Sequence, residues 1–149
     1  MTGGSIFRSY LYADKDACLE LFDANCPDFF APNERMDYLG FLASVPTYYK
    51  ICIVNNQIVG AFGLNLVASN EGSLKWILVD PPLHGRGIGS AIMEHVFAEA
   101  RATGLQRIRI AASHKSAPFF ARFGAKALLE TRDGWGPGMH RVDMELRLI

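Results

Sequence analysis

Three glycines at alternate positions, Gly85, Gly87 and Gly89, separate a strand-like run at residues 74–79 from an amphipathic segment at residues 90–103. The run stops at Asp80-Pro81-Pro82, so the local order is strand, tight turn, helix start. Glycine removes Cβ where a chain must bend sharply and lets a ligand touch the main chain. Free N–H groups at the start of the next helix, backed by the positive end of its dipole, form a seat for a phosphate or pyrophosphate. His84 and Arg86 add side-chain donors beside it, and Ile88 and Ser90 complete the stretch. The same letters also suit a plain link between strand and helix that holds nothing.

Two common phosphate motifs fail on spacing. A Walker-type loop needs a lysine after its last glycine, and Ser90 follows Gly89. The dinucleotide fingerprint Gly-x-Gly-x-x-Gly fails because Gly85 and Gly87 lead to Ser90, and Gly87 and Gly89 lead to Ile92. What remains is Gln/Arg-x-x-Gly-x-Gly/Ala, with His84 in the first place, Gly87 in the fourth and Gly89 in the sixth. That spacing resembles motif A of the GNAT N-acetyltransferase superfamily, which binds the pyrophosphate of acetyl-coenzyme A.

The 149 residues suffice to bury one core, and a single domain over residues 1–149 is expected. Lysine plus arginine equals aspartate plus glutamate at 15 each, so no global field draws the chain to nucleic acid or to an anionic membrane. A nucleic-acid module also needs a basic stripe with interleaved aromatics, which is missing. Cys18, Cys26 and Cys52 are odd in number and lack Cys-x-x-Cys spacing, which argues against a disulfide framework or a metal site and for buried thiols. Residues 1–5 carry no targeting pattern, and no run approaches the ~20 apolar residues of a membrane span, so a cytoplasmic location is expected.

Residues 5–11 read as a strand, and Asp14 or Asp16 as the cap of a helix that places Cys18, Leu21 and Phe22 on one face. A second helix follows Pro32-Asn33-Glu34, with Tyr38, Phe41, Leu42 and Val45 at helical spacing. The loop between them carries Phe29 and Phe30, which suit either a pocket wall or a core connection. Asn55-Asn56 marks a hairpin between runs at 48–54 and 57–67, and another strand follows at 73–79. Ile88, Ile92, Val96 and Ala100 repeat every fourth residue up to Gly104. A strand at 107–110, a short helix at 116–123 and two final strands complete the chain, the last alternating from Arg141 to Leu148. This order is α+β and, from about Ile6 to Leu148, resembles the GNAT acyltransferase fold, a mixed central sheet of about seven strands with about four helices.

The resemblance implies further roles. In the superfamily the strand before the glycine loop and the next strand splay apart around the pantetheine arm, which here assigns Leu78, Val79 and the strand ending at Ala112 to that gap. The family pattern Asn-x-x-Ala-x-x-Phe-Tyr-x-x-x-Gly-Phe, aligned on Gly124, puts Ser113 at the asparagine, Ser116 at the small residue, Phe119 at the first aromatic and Phe120 at the tyrosine. That tyrosine commonly protonates the departing thiolate, and phenylalanine cannot. Water or His114 is the available replacement, His114 being equally readable as an exposed loop histidine. Arg86 and Arg122 suit coenzyme phosphates or solvent. Where relatives place an acidic base, Lys75 and Trp76 stand, and of the nearby carboxylates Glu71 and Asp80 the latter reads as a turn residue. Tyr48 and the Trp135-containing loop at 133–140 join Phe29 and Phe30 as candidate acceptor contacts, the loop being equally readable as a hairpin tip.

The expectation is therefore an acetyl-coenzyme A-dependent N-acetyltransferase acting without metal on a small-molecule or peptide primary amine. A non-catalytic acyl-coenzyme A sensor of the same fold is the alternative, and the dimers common in the superfamily leave a homodimer open.

Overall fold

Strands with buried faces and helices buried at every fourth residue build a layered α+β structure in the computed structural model, which describes residues 4–148. The targeting-signal expectation for residues 1–3 lies outside the described residues. In chain order the elements are β1 (Ile6–Ser9), α1 (Lys15–Ala24), α2 (Arg35–Ala43), β2 (Tyr49–Val54), β3 (Gln57–Ala68), β4 (Glu71–Val79), α3 (Ile88–Ala102), β5 (Arg107–Ser113), α4 (Ala117–Ala121), β6 (Lys126–Gly136) and β7 (Met139–Arg147). The strands form one mixed sheet in the order β1-β2-β3-β4-β5-β7-β6. All neighbours are antiparallel except β4 and β5. A parallel pair needs a crossover, and α3 supplies it. The Asn55-Asn56 turn takes left-handed backbone at both residues (φ 50° and 64°), as a two-residue hairpin requires.

Successive strand residues point to opposite faces, and each face has its own core. On one face Ile88, Ile92, Val96 and Ala100 of α3 pack with Cys52, Phe62, Leu64, Ile108 and Ile110. On the other, Cys18, Leu21 and Phe22 of α1 and Tyr38 and Leu42 of α2 cover Tyr49, Ile51, Ala61 and Leu78. The thiols of Cys18 and Cys52 are buried, and burial pushes both above the ordinary thiol range.

Several boundaries differ from the sequence expectation. Helix α2 ends at Ala43, so Val45 leaves the shared face and sits exposed with left-handed backbone. Asp14 precedes α1 without capping it, because its carboxylate accepts the Leu11 N–H and pairs with the Arg8 guanidinium. Of the two readings of residues 133–140 the hairpin tip holds: β6 runs to Gly136 and β7 starts at Met139, leaving a tight turn between them. Strand β6 is exposed along nearly all its length, so no in–out hydrophobic alternation announces it. Among the described residues no helix is long and apolar enough to cross a membrane.

Candidate active site

The β4–β5 ladder pairs Glu71 to Leu74 with Arg107 to Ile110 and stops there. Beyond it β4 continues against β3 as far as Val79, and β5 continues against β7 as far as Ser113. The two strands therefore diverge, and a cavity of about 810 Å³ opens between them. Its walls include Leu78 and Val79 on one side and Ala111, Ala112 and Ser113 on the other.

The divergence is built into β4 at Trp76, whose φ of 42° is a left-handed outlier for a bulky residue, beside a break in the β3–β4 register. Such backbone costs about 1–3 kcal/mol and persists only when neighbours hold it. Here the Tyr49 hydroxyl donates to the Trp76 carbonyl at 2.6 Å, and the Tyr38 hydroxyl lies 2.8 Å from that of Tyr49. Because Tyr49 spends its proton on the carbonyl, Tyr38 is the donor to Tyr49. Burial pushes both phenols well above their ordinary pKa, which keeps both protons in place. Tyr49→Phe is expected to destabilise the fold by about 1–3 kcal/mol, since it strands two buried polar partners, a loss measurable by urea unfolding.

At one end of the cavity the glycine turn takes left-handed backbone at Gly85 (φ 77°) and Gly87 (φ 88°), and α3 starts immediately after. The first bond inside α3 runs from the Ala91 N–H to the Gly87 carbonyl, so the amides of Ile88, Gly89 and Ser90 have no helical partner. Gly89 serves packing: a Cβ there would meet the Phe119 ring at 2.8 Å. His84 donates from Nε2 to the Val79 carbonyl at 2.9 Å, and the edge of Phe29 rests on its ring. The same carbonyl receives Asn25 Nδ2 at 3.0 Å, which ties the end of α1 to β4.

Opposite the turn, Ser113 and Ser116 cap each other, each hydroxyl accepting the other's backbone N–H at 3.1 Å. Phe119, Phe120 and Arg122 follow along the wall, with the guanidinium of Arg122 over the Phe119 ring. Phe120 is 2% exposed and offers no hydroxyl to the cavity. At the other end Phe30 stacks on Trp76, and Trp135 reaches in from β6 with Nε1 donating to the Ala112 carbonyl. Asn33 Nδ2 donates to the Trp135 carbonyl at 2.7 Å, bridging the β6–β7 hairpin to the start of α2.

Four expected residues lie away from the cavity wall. The Ile88 side chain turns into the α3 core, and Arg86 is exposed outside the turn. His114 is held by the hairpin: its Nδ1 accepts the His140 N–H, its own backbone N–H bonds the His140 carbonyl, and the two rings lie tilted with centroids 4.6 Å apart. Tyr48 packs against Phe41 and Gly63. Tyr48 lies in the turn ahead of β2, and it is Tyr49, the first residue of β2, that supports the site.

Glu34 is the residue that sequence spacing did not bring forward. It lines the cavity, is 4% exposed, and accepts the Ala31 N–H on Oε2 at 2.7 Å. Burial, with the Asp37 charge adding to it, pushes its carboxyl up to about 7 despite that hydrogen bond. The available signal was Pro32-Asn33-Glu34, a proline-led helix start whose third residue reaches back to the preceding amide. Glu71 pairs with Arg107 and Arg109 and does not line the cavity; nor does Asp80.

The model of the Acetyltransferase (GNAT) family matches residues 16–125. An amino-acid acetyltransferase of Mycobacterium tuberculosis is 35% identical over 68 residues, which is 46% of this chain and 38% of that relative's length. Among solved structures, Ard1 from Thermoplasma volcanium superposes with a TM-score of 0.82 over 99% of both chains at 13% identity. Rv2747 from Mycobacterium tuberculosis, in complex with CoA, gives 0.72 at 20% identity over 97% of this chain and 99% of that one. The structural likeness carries the fold, and the sequence match runs from α1 through the glycine turn to the end of α4, leaving out only β1 and the β6–β7 hairpin; this chain belongs to the GNAT acetyltransferase family.

Proposed function

We propose that the chain transfers acetyl from acetyl-coenzyme A to a primary amine by direct attack in a ternary complex. The observation that carries this reading is the continuous cavity from the glycine turn, between the diverged strands, to the aromatic end. The turn fits a pyrophosphate: a Cβ at Gly85 or Gly87 would meet nothing within 4 Å, so the approach is open, and three partnerless amides stand at the head of a fifteen-residue helix. Arg122 stands on the same wall for a further phosphate. The diverged edges of β4 and β5 suit an extended pantetheine arm, although the Val79 carbonyl is already taken by Asn25 and His84.

Acetyl-coenzyme A supplies the activated thioester. The protein's contribution is placement, holding thioester and amine in one shaped channel so that a bimolecular encounter becomes effectively unimolecular. The amine nitrogen bonds the carbonyl carbon, the carbon–sulfur bond breaks, and its electron pair leaves on sulfur. With a thiol pKa of ~8.5, sulfur is an acceptable leaving group, so Phe120 in the tyrosine place lowers the rate without forbidding the reaction.

The buried, hydroxyl-free Phe120 also favours a second reading, a module that holds acyl-coenzyme A without turnover. Thiol release measured over methylamine, phenethylamine, spermidine, amino acids and lysine peptides decides between them. Release with at least one amine is expected; binding of coenzyme A with no release from any acceptor leaves the sensor.

A further inference from the structure

Glu34 is the only carboxylate among the described residues lining the cavity. It takes part in none of the ion pairs found among them. Its Oε2 accepts the Ala31 N–H, and among the described residues nothing donates to Oε1. No fully buried side-chain oxygen among the described residues is left unpaired, so Oε1 is accessible and not sealed in the core, in a residue that lines the cavity. A buried carboxylate without a cation is a costly arrangement that a bound proton or a bound cation relieves.

The neighbours define where that cation would sit. Glu34 follows Asn33, which is bonded to Trp135, and it precedes the Arg35–Asp23 pair on the outer surface. It thus lines the cavity beside the Asn33–Trp135 bond, and Phe30, Trp76 and Trp135 line the same cavity. Aromatic faces attract cations as well as apolar stems. The other titratable groups on the cavity wall are cations or already engaged. Lys75 stands on β4, Lys115 after β5, Arg122 after α4, and Arg141 on β7 is held by Asp143 over the Trp135 ring. His84 is bonded to Val79 beside the glycine turn, and Asp37 in the first turn of α2, just after Glu34, is the nearby charge.

We infer that Glu34 binds the ammonium group of the acceptor through Oε1 and accepts the proton that must leave it before attack. This rests on the acetyl-transfer reading. The acceptor arrives as R–NH3+, since an alkyl ammonium has a pKa of ~10.4 and is protonated at neutral pH. One proton passes from nitrogen to Oε1, and the freed lone pair forms the nitrogen–carbon bond. As the carbon–sulfur bond breaks, the nitrogen sheds its second excess proton, which reaches the departing thiolate through water. The Glu34 proton then returns to solvent through the cavity mouth. Protonation equilibrium near pH 7 suits a group that must take and release a proton in every cycle.

Two measurements on the full chain test this. In wild type, carbon-13 carboxyl NMR of Glu34 is expected to titrate with a midpoint about 7, and methylammonium chloride, as the probe, is expected to lower that midpoint. A midpoint that methylammonium leaves unmoved would overturn the ammonium site whether or not the protein transfers acetyl groups. In Glu34→Gln, whose amide oxygen still accepts the Ala31 N–H, kcat with the best amine of the panel above is expected to fall ~10²-fold or more. The rise of kcat/KM through about pH 7 is expected to vanish, and coenzyme A affinity to stay unchanged. A variant that keeps kcat within ~3-fold, or keeps that limb of the profile, would also overturn the proposal. If no amine releases thiol from wild type, the transfer reading fails and the NMR titration alone decides the role of Glu34. Stability offers an independent check on the variant. Because burial raises the folded pKa above the unfolded ~4.3, the Glu34 contribution is full below that value and is lost as pH rises through about 7. Glu34→Gln is expected to flatten the wild-type Tm profile across this window.

Discussion

Gly87→Glu is expected to weaken coenzyme A binding at least ~100-fold, about 2.8 kcal/mol at ~1.4 kcal/mol per tenfold, in a protein that still folds. Two effects act together. The residue sits at φ 88°, a left-handed backbone that costs a residue with a Cβ roughly 1–2 kcal/mol, so the turn that aims the Ile88 and Gly89 amides relaxes. The new carboxylate also stands at the positive end of α3, where the coenzyme's phosphates would need to lie, and it repels them. Folding survives because a Cβ at this position meets nothing within 4 Å, so no core contact is displaced. Calorimetric titration with coenzyme A, read beside far-UV circular dichroism, checks both halves. Gly87→Ala separates them, because it carries the backbone cost without the charge and is expected to lose less. Affinity within ~3-fold of wild type in the glutamate variant would remove the phosphate seat from this turn.

Phe22→Ala is expected to cost about 3–5 kcal/mol of stability, the range for deleting a large buried aromatic. Phe22 is 0% exposed, and its ring packs against Phe30, Tyr38 and Trp76. Tyr38 belongs to the core beneath α1, while Phe30 and Trp76 also line the cavity, so the loss is not local to α1. For a chain of this size about 1 kcal/mol corresponds to roughly 2–4 °C, which places the expected Tm decrease at roughly 6–20 °C. The remaining folded protein is expected to bind coenzyme A normally, since the glycine turn belongs to the opposite face of the sheet, while KM for the amine rises as Phe30 and Trp76 lose their backing. A Tm within ~2 °C of wild type would show that the cavity left by the ring collapses without loss.

The legibility of the chain was uneven in a physically sensible way. Helix α3 was readable because its buried stripe repeats every fourth residue and Gly104, with left-handed backbone, ends it. The glycine turn was readable because left-handed conformation is a local demand that glycine meets and most residues do not. Strand β6 escaped placement because its solvated faces impose no alternation. Nothing in the adjacent letters separates Tyr48 from Tyr49, and only the fold showed that the first packs on Phe41 ahead of β2 while the second, opening β2, holds the Trp76 carbonyl. His114 looked available beside the end of β5 until the hairpin return brought His140 onto it. Glu34 looked like an ordinary charged residue at a helix start.

The sequence by itself determined the local grammar: which segments are strands or helices apart from β6, where glycines turn the chain with left-handed backbone, the α+β order and the likeness to the GNAT family. Tertiary structure alone decided which side chains share the cavity, because Glu34, Trp76, Trp135 and Phe120 come from four separate elements that meet only where β4 and β5 stop pairing. It also decided the charge behaviour of Glu34. A carboxyl's proton affinity depends on how much water and how many opposite charges surround it, and neither is a property of the letters beside it.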